Sequence, residues 1–243
     1  MTRIQKLSSN MLKIIAAVLM LVDHIGMLLF PDIVILRIIG RLSFPIFAFL
    51  IAEGCRYTRN KLRYFLTVLS FGAAIQIVYS VFTKSLSMNI LLTFSVSIAI
   101  IFALSDFKRR LYAEHTPRVK FILSGICVIA LIFASYATSV FVRFDYGFLG
   151  FMTPVMASLF DRVENASPVF DKLDVLPVRL ASMGCALILL SISSHPIQFF
   201  SLLSLPIIML YSGERGKICM KYFFYLFYPL HLLALYGVSL LIK

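Results

Sequence analysis

No stretch of this 243-residue chain is polar enough to form a soluble domain, and charged residues make up 14% of it. Cysteine is sparse. Cys55, Cys127, Cys185 and Cys219 are scattered without a C-x-x-C spacing, which argues against a disulfide framework and against a zinc site, so no metal is expected. No Walker loop and no dinucleotide-binding glycine pattern is present, and there is no repeat with a period of roughly 20–50 residues. The charged front of the first apolar run is not followed by a small-residue cleavage pattern, so that run is expected to be a retained helix and not a signal peptide.

What the chain does have is apolar length. Hydrophobic residues are 60% of it, against roughly 45–50% in an average globular domain, and the mean hydropathy is +0.95. Apolar runs long enough to cross a bilayer recur from end to end. They are continuous and not alternating, so helices satisfy the backbone in lipid. The expected fold is an all-α, polytopic membrane bundle of about nine transmembrane helices in a single domain, 1–243. The spans fall near 11–30, 33–53, 63–83, 88–105, 120–142, 146–160, 179–194, 196–212 and 222–242. The span at 146–160 is short, carries Gly147, Gly150 and Pro154, and is the one that reads as tilted or broken.

The net charge of +12 is distributed by side. Arg3 and Lys6, the cluster Arg56 to Arg63, the cluster Lys108 to Lys120, then Arg162, Lys172, Arg179, Arg215, Lys217 and Lys221 fall on one side of these spans. Only Lys84, Arg143 and Lys243 fall on the other. The positive-inside rule then places the N-terminus in the cytoplasm. The basic charge reads as orientation and contact with membrane lipids, not as a nucleic-acid surface.

Against that background "MLKIIAAVLMLVDHIGMLLF" stands out, because Asp23 and His24 sit side by side inside a span. Ionisable groups at membrane depth are rare and mark function by default. At a rise of ~1.5 Å per residue, His24 lies roughly 10 Å below the outer boundary and Arg41 roughly 12 Å below it. Arg37 and Arg41, four apart, share a face of the second span, and the Pro31-Asp32 connection keeps the two spans together as a hairpin. Gln76 falls at a similar depth in span three. Adjacent residues point about 100° apart, so Asp23 is better placed to pair with Arg37 or Arg41 than to orient His24. That pair could simply pin the hairpin.

Lys13 and His24, eleven residues apart, lie within about 20° of each other on one helical face, separated by roughly 16 Å along it. Lys13 would sit at the cytoplasmic mouth, as would Glu53, and pairing with Glu53 or snorkelling is its plain structural explanation. The functional alternative is a cationic entrance with a histidine at the far end, which suits a long ligand with a phosphate-rich head, such as a coenzyme A thioester. In the last span, Pro229 should kink the helix and free carbonyls a turn earlier. His231 and Tyr228 lie near mid-bilayer, either as a second part of the pocket or, for His231, as a packing residue bonded to a freed carbonyl.

The segments "LKIIAAVLMLVDHIG", "RIIGRLSFPIFAFLIAEGCRYTRN" and "YLFYPLHLLAL" resemble the TraX family. They also resemble the wider group of transmembrane acyltransferases, which includes acyltransferase family 3 and the lysosomal heparan-glucosamine acetyltransferase. The spacing Lys13-x10-His24 is similar to the basic-x10-His motif of acyltransferase family 3. The resemblance is strongest over residues 11–65 and 220–235. It implies transfer of an acyl group from cytoplasmic acetyl-CoA to an amine or hydroxyl on the outer side, either a pilin N-terminus or a cell-surface glycan, in a bacterial inner membrane. It also implies that His24 is the catalytic histidine, Asp23 its acidic neighbour and Arg41 the arginine of the second span, with Lys13 on the donor. Arg37, Gln76, Tyr228 and His231 are the further candidates for lining the donor site.

Elementary chemistry agrees. Attack on a thioester needs a base for the incoming amine or hydroxyl and positive charge near the oxyanion. A neutral histidine serves the first and an arginine the second. A transporter or flippase for an anionic solute would use the same residues as ligands, but predicts paired broken helices in an internal repeat. A non-catalytic assembly factor would explain an ion pair but not the Lys13–His24 stripe. The sequence leaves a homo-oligomer open.

Overall fold

The structure, a computed structural model, describes residues 6–83, 87–113, 116–163, 168–216 and 221–242. Within them the chain is helical throughout. Its elements are α1 (Ser9–Leu28), α2 (Val34–Gly40), α3 (Ser43–Tyr57), α4 (Lys61–Thr83), α5 (Ile90–Tyr112), α6 (Arg118–Phe141), α7 (Gly147–Ala157), α8 (Pro168–Leu173), α9 (Leu176–Ser193), a 3-10 helix (Pro196–Leu203), α10 (Ser204–Met209) and α11 (Lys221–Ile242). Extended pairing among the described residues is confined to two isolated bridges, Leu7 with Tyr211 and Met88 with Phe144.

Six stretches are long and apolar enough to cross a membrane: Ser9–Leu28, Val34–Tyr57, Lys61–Val81, Ile90–Tyr112, Arg118–Phe141 and Leu176–Ser193. This is a polytopic helical membrane protein. Among the described residues the expected count of nine full spans is not reached. The other three apolar segments, Gly147–Ala157, Pro196–Met209 and Leu226–Leu241, are shorter. The first two have local causes. The chain enters α7 through left-handed conformations at Tyr146 (φ 62°) and Gly147 (φ 55°), and Pro154 sits inside it. Pro196 opens a tighter 3-10 helix, whereas α11, with Pro229 inside it, runs unbroken for 22 residues.

The second span, expected as one run, is two helices. The Arg41 N–H is drawn to the carbonyls of both Arg37 (3.1 Å) and Ile38 (3.3 Å), which ends α2 before Ser43 opens α3. The Ser43 hydroxyl then donates to the Ala16 carbonyl of α1 at 2.9 Å and fastens the start of α3.

The chain forms two compact units: Met1–Leu50 with Leu187–Lys243, and Ile51–Ala186. In the first, α1 packs against α2 and α11, and the 3-10 helix packs against α2. Two glycines set the α1–α2 approach. A Cβ on Gly40 would fall on the Asp23 side chain, and one on Gly26 would fall on Leu36. Small residues let membrane helices come this close. Before α1, the backbone around Leu7 exchanges hydrogen bonds with Leu210 and Ser212, and Ser8 caps the helix by accepting from the Met11 N–H. In the second unit, α5 packs against α4, α6 and α7. Asn89 caps α5, its side-chain oxygen accepting from the N–H groups of Leu91 and Leu92. Along α6, Ile122, Ile126, Ile129 and Phe133 are exposed, the apolar surface a helix presents to lipid.

Candidate active site

The close α1–α2 approach produces a clamp around Asp23. Arg37 donates through Nη1 to Asp23 Oδ2 (2.7 Å) and to the Asp23 carbonyl (3.1 Å). Arg41 donates through Nη2 to both carboxylate oxygens, at 2.8 and 2.9 Å. The four-residue spacing on α2 thus brings both guanidiniums to one carboxylate, and Asp23 pairs with both where the sequence offered either. The clamp leaves one net positive charge, and each guanidinium has five N–H donors in all.

His24, one residue further along α1, faces elsewhere, as the 100° step requires. Its Nδ1 lies 2.9 Å from His231 Nε2 on α11, with ring centroids 5.0 Å apart. His231 Nδ1 in turn lies 2.8 Å from the Phe227 carbonyl, and its ring stacks on Phe227 at 4.9 Å, with Tyr228 tilted beside it at 5.8 Å. This carbonyl is four residues before His231 itself, so it is not the one that Pro229 leaves without an N–H. The direction of the chain of bonds follows from the acceptor at its end. A carbonyl only accepts, so His231 Nδ1 carries hydrogen. In a neutral ring His231 Nε2 is then an acceptor for the His24 Nδ1–H, and the Met20 carbonyl, one turn earlier on α1, is a further acceptor for the His24 ring. The lone pair of His24 Nε2 is left over.

The sequence reading did not find this contact. His24 and His231 are 207 residues apart, and the only signal was that both are membrane-level histidines.

The other sequence candidates divide between the two units. Lys13 lies on α1, half-buried, in the same unit as His24. Glu53, considered as its partner, belongs to the second unit and meets Arg179 there at 2.6 Å, both side chains 5% exposed. Gln76 also belongs to the second unit. Its side chain fastens the turn between α4 and α5: Oε1 accepts from the Asn89 N–H (2.9 Å) and Nδ2 (3.0 Å), and Nε2 donates to the Ser87 carbonyl (3.0 Å) and to Ser80 Oγ (3.1 Å).

The second unit also absorbs cations read from sequence as orientation charge. Lys108 is 6% exposed and donates to the carbonyls of Ser158 and Leu159 at the end of α7. Arg179 donates to the Ala157 carbonyl there and to Asp161. Cations at a helix C-terminus complement its unpaired carbonyls and dipole. Arg56 makes a two-point pair with Asp174, at 2.6 and 2.7 Å. Burial pushes the Asp161 carboxyl up to about 6, against the pull of Arg179 and Arg56.

Among the described residues no group of three His, Cys, Asp or Glu side chains stands where it could hold a metal ion.

The family model described as "TraX protein" matches residues 8–239. The chain belongs to the TraX family. It is also similar to a protein of Rickettsia prowazekii (strain Madrid E) described as uncharacterized, 29% identical over 141 residues, or 58% of this chain and 50% of that protein. A second relative is the "Probable fimbrial assembly protein FimC, serogroup H1" of Dichelobacter nodosus, 36% identical over 84 residues, 33% of this chain and 34% of the relative. This TraX-family chain therefore spans half the length of the first relative and a third of the second. No solved structure matches it.

Proposed function

We propose that this TraX-family protein is a membrane-embedded acyltransferase, moving an acetyl group from cytoplasmic acetyl-CoA to an amine or hydroxyl on the outer side of a bacterial inner membrane. The observation that carries the reading is the hydrogen-bonded series Phe227 carbonyl, His231, His24. It leaves a histidine lone pair one residue along α1 from the carboxylate that two arginines hold, and acyl transfer from a thioester asks for a base and nearby positive charge.

In this reading His24 Nε2 takes the proton from the acceptor's O–H or N–H as its heteroatom bonds to the thioester carbonyl carbon. The carbonyl oxygen becomes an oxyanion, and the net positive charge of the Arg37–Asp23–Arg41 clamp, one residue back on α1, stabilises that developing charge. Collapse breaks the carbon–sulfur bond, and the departing coenzyme A thiolate recovers the proton from His24. Lys13, on the same face of α1 and nearer its N-terminus, meets the donor's phosphates. The orientation rests on the asymmetry of Lys and Arg between the two sides.

A second reading, a non-catalytic factor in fimbrial assembly, is favoured by the printed name of one relative. One comparison separates the two. Mass spectra of pilins and surface glycans from a strain lacking this protein should lose an acetyl-sized mass on one component. Unchanged spectra together with missing fimbriae would favour the assembly factor instead.

A further inference from the structure

The chain that follows α10 returns to the start of α1 and is tied there. Leu7 donates its N–H to the Leu210 carbonyl (3.0 Å), and its own carbonyl accepts from the Ser212 N–H (2.9 Å) and hydroxyl (3.2 Å). Ser9 donates to the Glu214 carbonyl (2.8 Å) and Asn10 to the Arg215 carbonyl (3.3 Å). Tyr211 is buried and meets Phe49 edge-on at 5.5 Å. Gly213 (φ 79°) and Gly216 (φ 88°) bracket the polar tip in the left-handed region that glycine enters readily. At Gly216 a Cβ would also lie 2.9 Å from Ser8 Oγ and 3.1 Å from Asn10 Nδ2, so this strap presses on the first turn of α1. The N–H groups of that turn are spent: Ser9 and Asn10 donate to the strap, and Met11 donates to Ser8 Oγ. A ligand at this end is therefore met by side chains and not by the helix terminus.

The strap sets the exposed Arg215 beside Asn10. Lys13 is three residues further along α1, on the same face as Asn10 and roughly 4.5 Å along the axis. His24 lies within about 40° of Asn10 around the helix and roughly 21 Å beyond it. Lys6, also exposed, precedes the tied Leu7. Among the described residues of these two segments, Lys6, Lys13 and Arg215 stand against one anion, Glu214. The tie is made by backbone atoms, so it survives replacement of the Arg215 side chain.

We propose that the strap 212–216 presents Arg215 as a phosphate ligand and completes, with Lys13, the site for the phosphate-rich head of the acyl-CoA donor. The assignment rests on the acyltransferase reading above, and it gives a binding role to a residue that charge counting read as orientation. A guanidinium meets phosphate oxygens through two parallel N–H bonds, whereas the Lys13 ammonium meets them as a point charge. Held about one helical turn apart, the two cations repel each other until an anion joins them. The placement suits an extended donor, with its head at the Lys13 end of the face and its thioester at His24. Phosphates of an anionic lipid headgroup share this chemistry, and the test separates the two sources.

The test uses the full chain in phosphatidylcholine vesicles, with Arg215→Gln and Gly216→Ala, and reads coenzyme A binding by titration calorimetry. Arg215→Gln should weaken binding about tenfold, the loss of one charge-assisted hydrogen bond, and leave it less sensitive to salt than in wild type. Gly216→Ala keeps every charge but not the strap's backbone, and should weaken binding severalfold. In turnover the KM for acetyl-CoA should rise in both variants with kcat within about twofold. S-acetylpantetheine, a donor without phosphate or nucleotide, should be used equally well by wild type and Arg215→Gln; an equal loss with both donors overturns the phosphate assignment. Equal coenzyme A affinity in wild type and Arg215→Gln overturns the subsite even where wild type turns acetyl-CoA over normally. If Arg215→Gln leaves that affinity intact but abolishes a difference in melting temperature between phosphatidylcholine and phosphatidylglycerol vesicles, the ligand is a lipid headgroup and the donor assignment is overturned. A Gly216→Ala protein that binds like wild type overturns the strap as the presenting element. Absence of coenzyme A binding by wild type overturns the acyltransferase reading, and this subsite with it.

Discussion

At the scale of single residues, chemistry depends on which ring nitrogen of His24 bears hydrogen. The chain has four histidines, at 24, 115, 195 and 231, few enough for each to be assigned by ¹⁵N NMR after single substitutions. Wild type should show His24 as the Nδ1–H form. His231→Leu removes one acceptor and leaves the Met20 carbonyl, so the Nε2–H fraction should rise and kcat should fall about tenfold, with the KM for acetyl-CoA unchanged. His231→Gln keeps an acceptor oxygen and should restore much of both; a Gln variant no better than Leu would assign His231 to packing alone. Arg41 and Lys13 should differ in kind. Arg41→Lys replaces a guanidinium whose Nη2 touches both Asp23 oxygens with a shorter, single-point ammonium, and should lower kcat by up to ~10²-fold. Lys13→Ala should raise the KM for acetyl-CoA and leave kcat nearly intact; if both variants moved KM alone, Arg41 would be a further anchor for the donor. The Asp23–arginine contact was legible because helical rise fixes depth and a two-residue connection fixes neighbours. The His24–His231 contact was not, because nothing local links positions 207 residues apart.

At the scale of elements, the short span expected at 146–160 is the short α7, and what the sequence did not show is the set of buried cations around its end. Hydropathy sees 146–160 as a span and Lys108, Arg179 and Arg56 as charges on a membrane face. In the structure α7 is eleven residues long, and these cations close its C-terminus or pair with Glu53, Asp161 and Asp174. Charge counting registers sign and side, and is blind to which carbonyls a buried ammonium satisfies. The cluster has a pH signature. Asp161 has its carboxyl pushed up to about 6 by burial, against about 3.9 in the unfolded chain. The folded state therefore binds the proton more tightly. The stability linked to Asp161 is fully present below about pH 4 and is lost as pH rises through about 6. Asp161→Asn should flatten the dependence of melting temperature on pH between about 4 and 7. An unchanged slope would mean that another group in the unit governs it. Gln76 illustrates the same limit: depth alone suggested a pocket residue, while its hydrogen bonds show a clasp on the α4–α5 turn.

At the scale of the whole molecule, class and family were legible from continuous apolar runs and from the quoted motifs, because lipid allows few backbone solutions. The number of crossings was less so, since a proline inside α7 and a 3-10 helix interrupt two of the segments. Orientation is open to direct measurement. In a background without native cysteines, Asp32→Cys should react with an impermeant thiol reagent applied from outside, and Asn60→Cys should not; the opposite labelling would invert the topology and place His24 near the cytoplasm. The most direct measurement is made on the purified protein in lipid with an alcohol and a peptide amine supplied as acceptors: acetyl-CoA binding and acceptor-dependent release of free coenzyme A thiol, for wild type and for His24→Ala. Wild type should bind the donor and release the thiol. The variant should bind with the same affinity and release it about 10²–10⁴-fold more slowly, the usual contribution of a general base. No binding by wild type, or equal release rates in the two proteins, would contradict acyl transfer at His24.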